Sequence, residues 1–105
     1  MNSNAPFSEQ FRLKGLEWAD LDAAARLLEE GKTTYLAQRK AALGDMADSK
    51  AEKLVKSSPD WADYIKKMVR AKTLANRARI ELEFVKMRYW EHSGSDANKR
   101  AEMRL

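Results

Sequence analysis

Residues 61–92 read WADYIKKMVRAKTLANRARIELEFVKMRYWEH, and they repeat in sevens. Trp61, Met68, Ala75, Leu82 and Tyr89 fall at one heptad position, and Tyr64, Ala71, Ala78, Val85 and His92 at the other. One unbroken helix therefore presents a single seam, from Trp61 to Tyr89, to a partner helix. A heptad specifies that helices pack along their length and names no chemistry. The centre of this seam is small (Ala71, Ala75, Ala78), and Ala23, Ala24, Ala25 and Gly31 stand ready upstream to let two backbones approach closely. Its ends are aromatic, with Trp61 and Tyr64 at one and Tyr89 and Trp90 at the other.

The start of this helix is well signalled. Ser58 suits the N-cap, Pro59 the first helical position, and Asp60 and Asp63 oppose the positive end of the dipole. Ser93 and Gly94 read as its stop, which predicts a helix over 59–92 and a short C-terminal turn or tail over 95–105, capped by Ser95. Such a helix is roughly 48 Å long at about 1.5 Å per residue. A compact domain of this chain length spans only ~35 Å, so the molecule is expected to be elongated.

Working outward, residues 1–7 form a polar arm that ends after Pro6, and Ser8 is the expected cap of a long helix over 8–43. Leu13, Leu16, Leu21, Ala24, Leu27, Leu28, Tyr35, Leu36, Ala42 and Leu43 recur there at threes and fours, with salt-bridge spacing from Asp22 to Arg26 and Arg26 to Glu30. Gly31 costs about 1 kcal/mol in a helix interior, yet the apolar spacing carries across it, which favours continuity. Gly44 closes the helix, and Asp45 heads a short helix over 46–56 with Ala47, Ala51, Leu54 and Val55 on its apolar side. The expected fold is all-α: a single domain forming an elongated, coiled-coil-like antiparallel hairpin of two long helices, with a short connecting helix and a short C-terminal helical turn.

Composition agrees with this. The 105 residues include 44% apolar and 34% charged side chains, four glycines, two prolines and no cysteine. Those values argue against disorder and against a turn-rich β fold, and the missing cysteine rules out disulfides and thiolate metal sites. No apolar run in the first thirty residues suits a signal peptide or a membrane span, so a cytoplasmic protein with no membrane partner is expected. The net charge of +4 lies wholly in the heptad half, since residues 1–59 hold nine acidic and nine basic side chains while residues 60–105 hold seven and eleven.

Past Arg77 the long helix is apolar on more than one side. Ile80, Phe84 and Met87, with Trp90 beside them, form a row offset from the seam, and one partner helix cannot cover both. Either the arm, the short helix or the C-terminal turn covers that row, or a second copy of the chain does; a cofactor groove is the remaining alternative, and no cofactor is expected.

Enzyme chemistry has little to work with. Gly31-Lys32-Thr33-Thr34 has the look of a phosphate loop, but Arg26 stands where a glycine is needed and the flanking residues have helical period. His92 is the single histidine, placed near the expected helix end where an imidazolium suits the dipole, and it has no second ligand for a metal. No serine sits in a nucleophile elbow. Asp20 with Asp22, and Glu29 with Glu30, read as solvated surface. A protein that is not an enzyme is expected.

The basic residues are more suggestive. Lys66, Lys67, Arg70, Lys72, Arg77 and Arg79 fall within fourteen residues without an acid among them, followed by Lys86, Arg88, Lys99, Arg100 and Arg104. Arg70 and Arg77 share a line, Lys72, Arg79 and Lys86 flank the seam, and Lys66 and Lys67 lie elsewhere around the helix. Flanking charges often pair with acids of the facing helix. The alternative is sequence-independent, salt-sensitive contact with nucleic-acid phosphates through Lys66, Lys67, Arg70, Arg77, Arg88, Lys99, Arg100 and Arg104, with Tyr89 and Trp90 as stacking platforms for a single strand.

Residues 71–79 (AKTLANRAR), Arg88-Tyr89-Trp90 and the closing 99–105 (KRAEMRL), together with Trp18 and 27–32 (LLEEGK), resemble small uncharacterised α-helical proteins encoded in bacteriophage and prophage regions. The resemblance runs from about Trp18 onward and carries no catalytic residues. It implies a phage-type accessory factor in DNA recombination or replication, working in the cytoplasm of a bacterial host. The functional expectation is thus a self-associating helical interaction protein, with direct nucleic-acid binding and a scaffold that binds no nucleic acid as the two alternatives.

Overall fold

The computed structural model describes the backbone of residues 6–104 and the side chains of residues 6–94. Three helices follow one another: α1 (Phe7–Ala41), α2 (Asp48–Lys56) and α3 (Pro59–Arg104), with no strand among the described residues. Helices α1 and α3 form an antiparallel hairpin, and α2 packs against both at the closed end. The principal extents are 83 × 22 × 17 Å, the elongated all-α hairpin that the heptads predict.

Local chemistry accounts for the turns. At the head of α3 the Ser58 hydroxyl accepts the Trp61 N–H at 3.2 Å while donating to the Val55 carbonyl at 2.6 Å, so one side chain both caps α3 and closes α2. Gly44, with φ +81°, turns the chain just beyond α1. The Lys40–Asp48 ion pair, at 2.5 Å, ties α1 to the first turn of α2.

Several boundaries differ from the sequence expectation. Helix α1 begins at Phe7 with Pro6 as N-cap, so Ser8 lies inside it, and it ends at Ala41. Helix α2 starts at Asp48 behind Ala47, leaving Asp45 outside and uninvolved in a cap. The largest correction concerns the C-terminal turn: α3 runs through Ser93, Gly94 and Ser95 to Arg104 as one helix. Neither a positive φ nor a proline interrupts it, and a lone glycine costs a helix only about 1 kcal/mol, which the good helix formers after it offset. Gly31 is likewise absorbed into α1.

These two glycine environments give a direct test. An added Cβ at Gly94 meets nothing within 4 Å, so Gly94→Ala should raise stability by up to about 1 kcal/mol. Gly44→Ala should lower it by about 1 kcal/mol, because its φ is left-handed. Thermal melts followed by circular dichroism report both, and a loss of helicity in Gly94→Ala would mean that α3 ends near His92.

Candidate functional site

The seam is built from α3 outward. Trp61, Ala75, Ala78 and Val85 are buried, and Tyr64, Met68, Ala71 and Leu82 are half-buried. Tyr89, expected to continue the seam, is instead 45% exposed, and His92 is exposed as well. Phe7, the first residue of α1, lies level with His92, ring centroids 5.4 Å apart, so only the turns after His92 run past their partner, and Tyr89 stands beside the first turn of α1 at the edge of an open cleft that it shares with Phe7, Phe11 and Trp90. Because α3 continues to Arg104, His92 also stands well inside the helix rather than at its negative end.

At the closed end the seam is aromatic. The rings of Tyr35 and Tyr64 stack at 4.5 Å, with Trp61 6.2 and 6.3 Å from the two. The Tyr64 hydroxyl donates to the Leu28 carbonyl at 2.5 Å and sits where a Cβ on Gly31 would come within 3.1 Å. Gly31 therefore admits a phenol against the α1 backbone. The ammonium of Lys32 lies 5.8 Å from the Trp61 ring, so Gly31-Lys32-Thr33-Thr34 is ordinary helix, not a phosphate loop.

On α1 the half-buried or buried positions Lys14, Trp18, Leu21, Ala25, Leu28, Lys32 and Tyr35 face α3. The two lysines were not legible as seam members, because the apolar stem of a lysine packs while its amine reaches out. Lys14 bonds to Glu81 of α3 and to Glu17, and the Glu81 carboxylate raises its pKa above the ordinary lysine range. The stabilisation that goes with this raised value is present at neutral pH and is lost as pH rises through it. Conversely, Leu13, Leu16 and Leu27, read as part of the apolar face, are 41%, 53% and 73% exposed and lie on the outer side of α1.

The second apolar row of α3 points directly away from the hairpin. Ile80, Phe84 and Met87 are 64%, 59% and 59% exposed and line one shallow outer groove with Arg79 and Glu83. No described segment lies over it: α2 is at the far end, and α3 runs on as a helix with no C-terminal turn folded back. Trp90, placed beside this row by sequence, belongs to another surface. With Phe7, Ser8, Phe11, Lys86 and Tyr89 it lines an aromatic cleft of about 360 Å³ at the open end.

The basic residues form a more continuous outer face than expected. Lys66, Arg70 and Arg77, four and seven residues apart, share the outer face of α3, so Lys66 lies on the Arg70–Arg77 line after all. Of the six basic side chains between positions 66 and 79, Lys72 pairs with Glu29 at 2.9 Å, and the other five make no ion pair with a described residue. Arg88 lies over Phe7 and Phe84, at 5.7 and 5.9 Å from their rings. Lys99, Arg100 and Arg104 are in the last turns of α3, and their side chains lie outside those described.

Among the described residues no group of three or more His, Asp or Glu is placed to hold a metal ion, and no helix is long and apolar enough to cross a membrane. Comparison of the chain with protein-family models, curated proteins and solved structures gave no match.

Proposed function

We propose that this protein is a non-enzymatic helical interaction protein that self-associates. The observation that carries this is the outer row of α3: three large apolar side chains, each more than half exposed, with no other described segment over them and only the Arg88 side chain of the same helix against Phe84. An exposed row of this kind on a rod is an interface in waiting, because water leaves it unfavourably hydrated at every turn. The accessible surface is 8283 Å², against roughly 6,000 Å² for a compact protein of this mass. Sedimentation velocity from one to a hundred micromolar tests the proposal; dimers or larger species are expected, and a monomer throughout that range would overturn it.

Direct binding of nucleic acid is the second reading, favoured by the outer face of α3 before the apolar row, where Lys66, Arg70 and Arg77 stand without acidic partners. Phosphate contacts through them would be blind to sequence and weakened by salt. Fluorescence anisotropy with labelled single- and double-stranded oligonucleotides at two salt concentrations is the test. Lys66→Glu with Arg70→Glu is expected to abolish the binding while shifting the melting temperature little, since both side chains are exposed. No binding at low salt would leave the scaffold reading. A phage-type accessory role in DNA recombination or replication, in the bacterial cytoplasm, is proposed from the resemblance alone.

A further inference from the structure

The outer face of α3 carries a pattern with its own symmetry. Arg77, Phe84 and Glu91 stand seven residues apart, in one column of the exposed face, with Ile80 and Met87 in the adjacent column. Phe84 is equidistant in sequence from the basic and the acidic residue. Arg77 and Glu91 are both exposed, and neither makes an ion pair with a described residue.

Two copies of such a helix can pack in two ways. In a parallel pair Arg77 would face Arg77 of the other copy, and Glu91 its Glu91, so both ends of the contact would be repulsive. In an antiparallel pair with its twofold axis at Phe84, equal displacements along the helix meet. Arg77 of each copy then faces Glu91 of the other, Phe84 lies against Phe84, and Ile80 comes within about one residue rise, ~1.5 Å, of the level of Met87. A twofold axis across an antiparallel helix pair also keeps each column on the same side of the contact, so the charged and aromatic columns meet themselves.

We propose that the self-association surface is an isologous, antiparallel α3–α3 contact centred on Phe84, its register set by two symmetry-related Arg77–Glu91 ion pairs. This rests on the self-association reading above and specifies its occupant as a second copy of this chain. The contact has length: from Arg77 to Glu91 the exposed face runs fourteen residues along the helix, ~21 Å. The axis leaves the closed-end aromatic stack and the seam untouched, so each hairpin enters the dimer intact.

Charge exchange decides the matter. Arg77→Glu alone, and Glu91→Arg alone, each put two like-charge contacts into the dimer and should weaken it by about tenfold; the double variant should return the dissociation constant to near that of the parent. The absence of cysteine allows a second readout, in which Arg77→Cys mixed with Glu91→Cys under mild oxidation gives a disulfide-linked heterodimer and neither variant alone links to itself. Sedimentation equilibrium and non-reducing gels report these outcomes, with circular dichroism confirming that each variant keeps its helix. A parent protein that dimerises, but whose double variant stays as weak as the single ones and whose cysteine mixture does not link, would overturn this register and leave self-association standing. A monomeric parent would overturn both.

Discussion

Ala75→Glu is expected to cost about 3 kcal/mol or more and to melt much of the hairpin, because it places a carboxylate where two backbones meet. Ala75 and Ala25 are each 4% exposed and line the same narrow cleft between α1 and α3. Asp22 and Glu29 border that cleft, and its two cations are already engaged, Arg26 with Asp22 and Lys72 with Glu29, so the new charge gains no free partner. The substituted helix must either separate from α1 or bury an anion beside two others. Urea denaturation followed by circular dichroism measures the loss, and Thr73→Glu, two residues back on the exposed outer side, is the control that should stay within about 0.5 kcal/mol. An unchanged melting temperature for Ala75→Glu would mean that the alanine seam does not hold the helices together.

Trp61→Ala is the other large effect, expected at about 3 kcal/mol. Trp61 is 8% exposed and completes a three-ring cluster with Tyr35 and Tyr64 under the Lys32 ammonium. Truncation removes the largest buried side chain of the closed end and opens a cavity that a two-helix contact backed by a nine-residue α2 has few atoms to refill. The Ser58 cap would survive, so the loss belongs to packing. Trp90→Ala removes the same side chain from a site that is 63% exposed and should change monomer stability little. Equal effects of the two substitutions would contradict the burial difference on which this rests.

The heptad register from Trp61 to Val85 was legible because a two-position repeat every seven residues leaves one face for a partner, whatever that partner is. So were the Ser58-Pro59 start and the continuity of α1 through Gly31. Where local signals were weak or conflicting, the sequence was a poorer guide. Ser93-Gly94-Ser95 has the residues of a helix stop, yet nothing downstream turns the chain, and an uninterrupted helix keeps every backbone hydrogen bond. On α1 the leucines outnumber the positions that α3 can cover; which of them pack depends on the register imposed by α3, and Lys14 and Lys32 take seam positions that Leu13 and Leu27 do not.

By itself the sequence determined an elongated, all-α hairpin, because periodicity and capping are properties of one helix and its neighbours along the chain. Only the tertiary structure decided that Tyr89 and Trp90 line an open cleft with Phe7 and Phe11 instead of closing the seam, that Lys14 and Lys32 take places in the seam, and that no other described segment lies over Ile80, Phe84 and Met87. Those facts depend on where α1 begins opposite α3 and how the two rods are staggered, and no residue's own chemistry specifies the stagger of a partner.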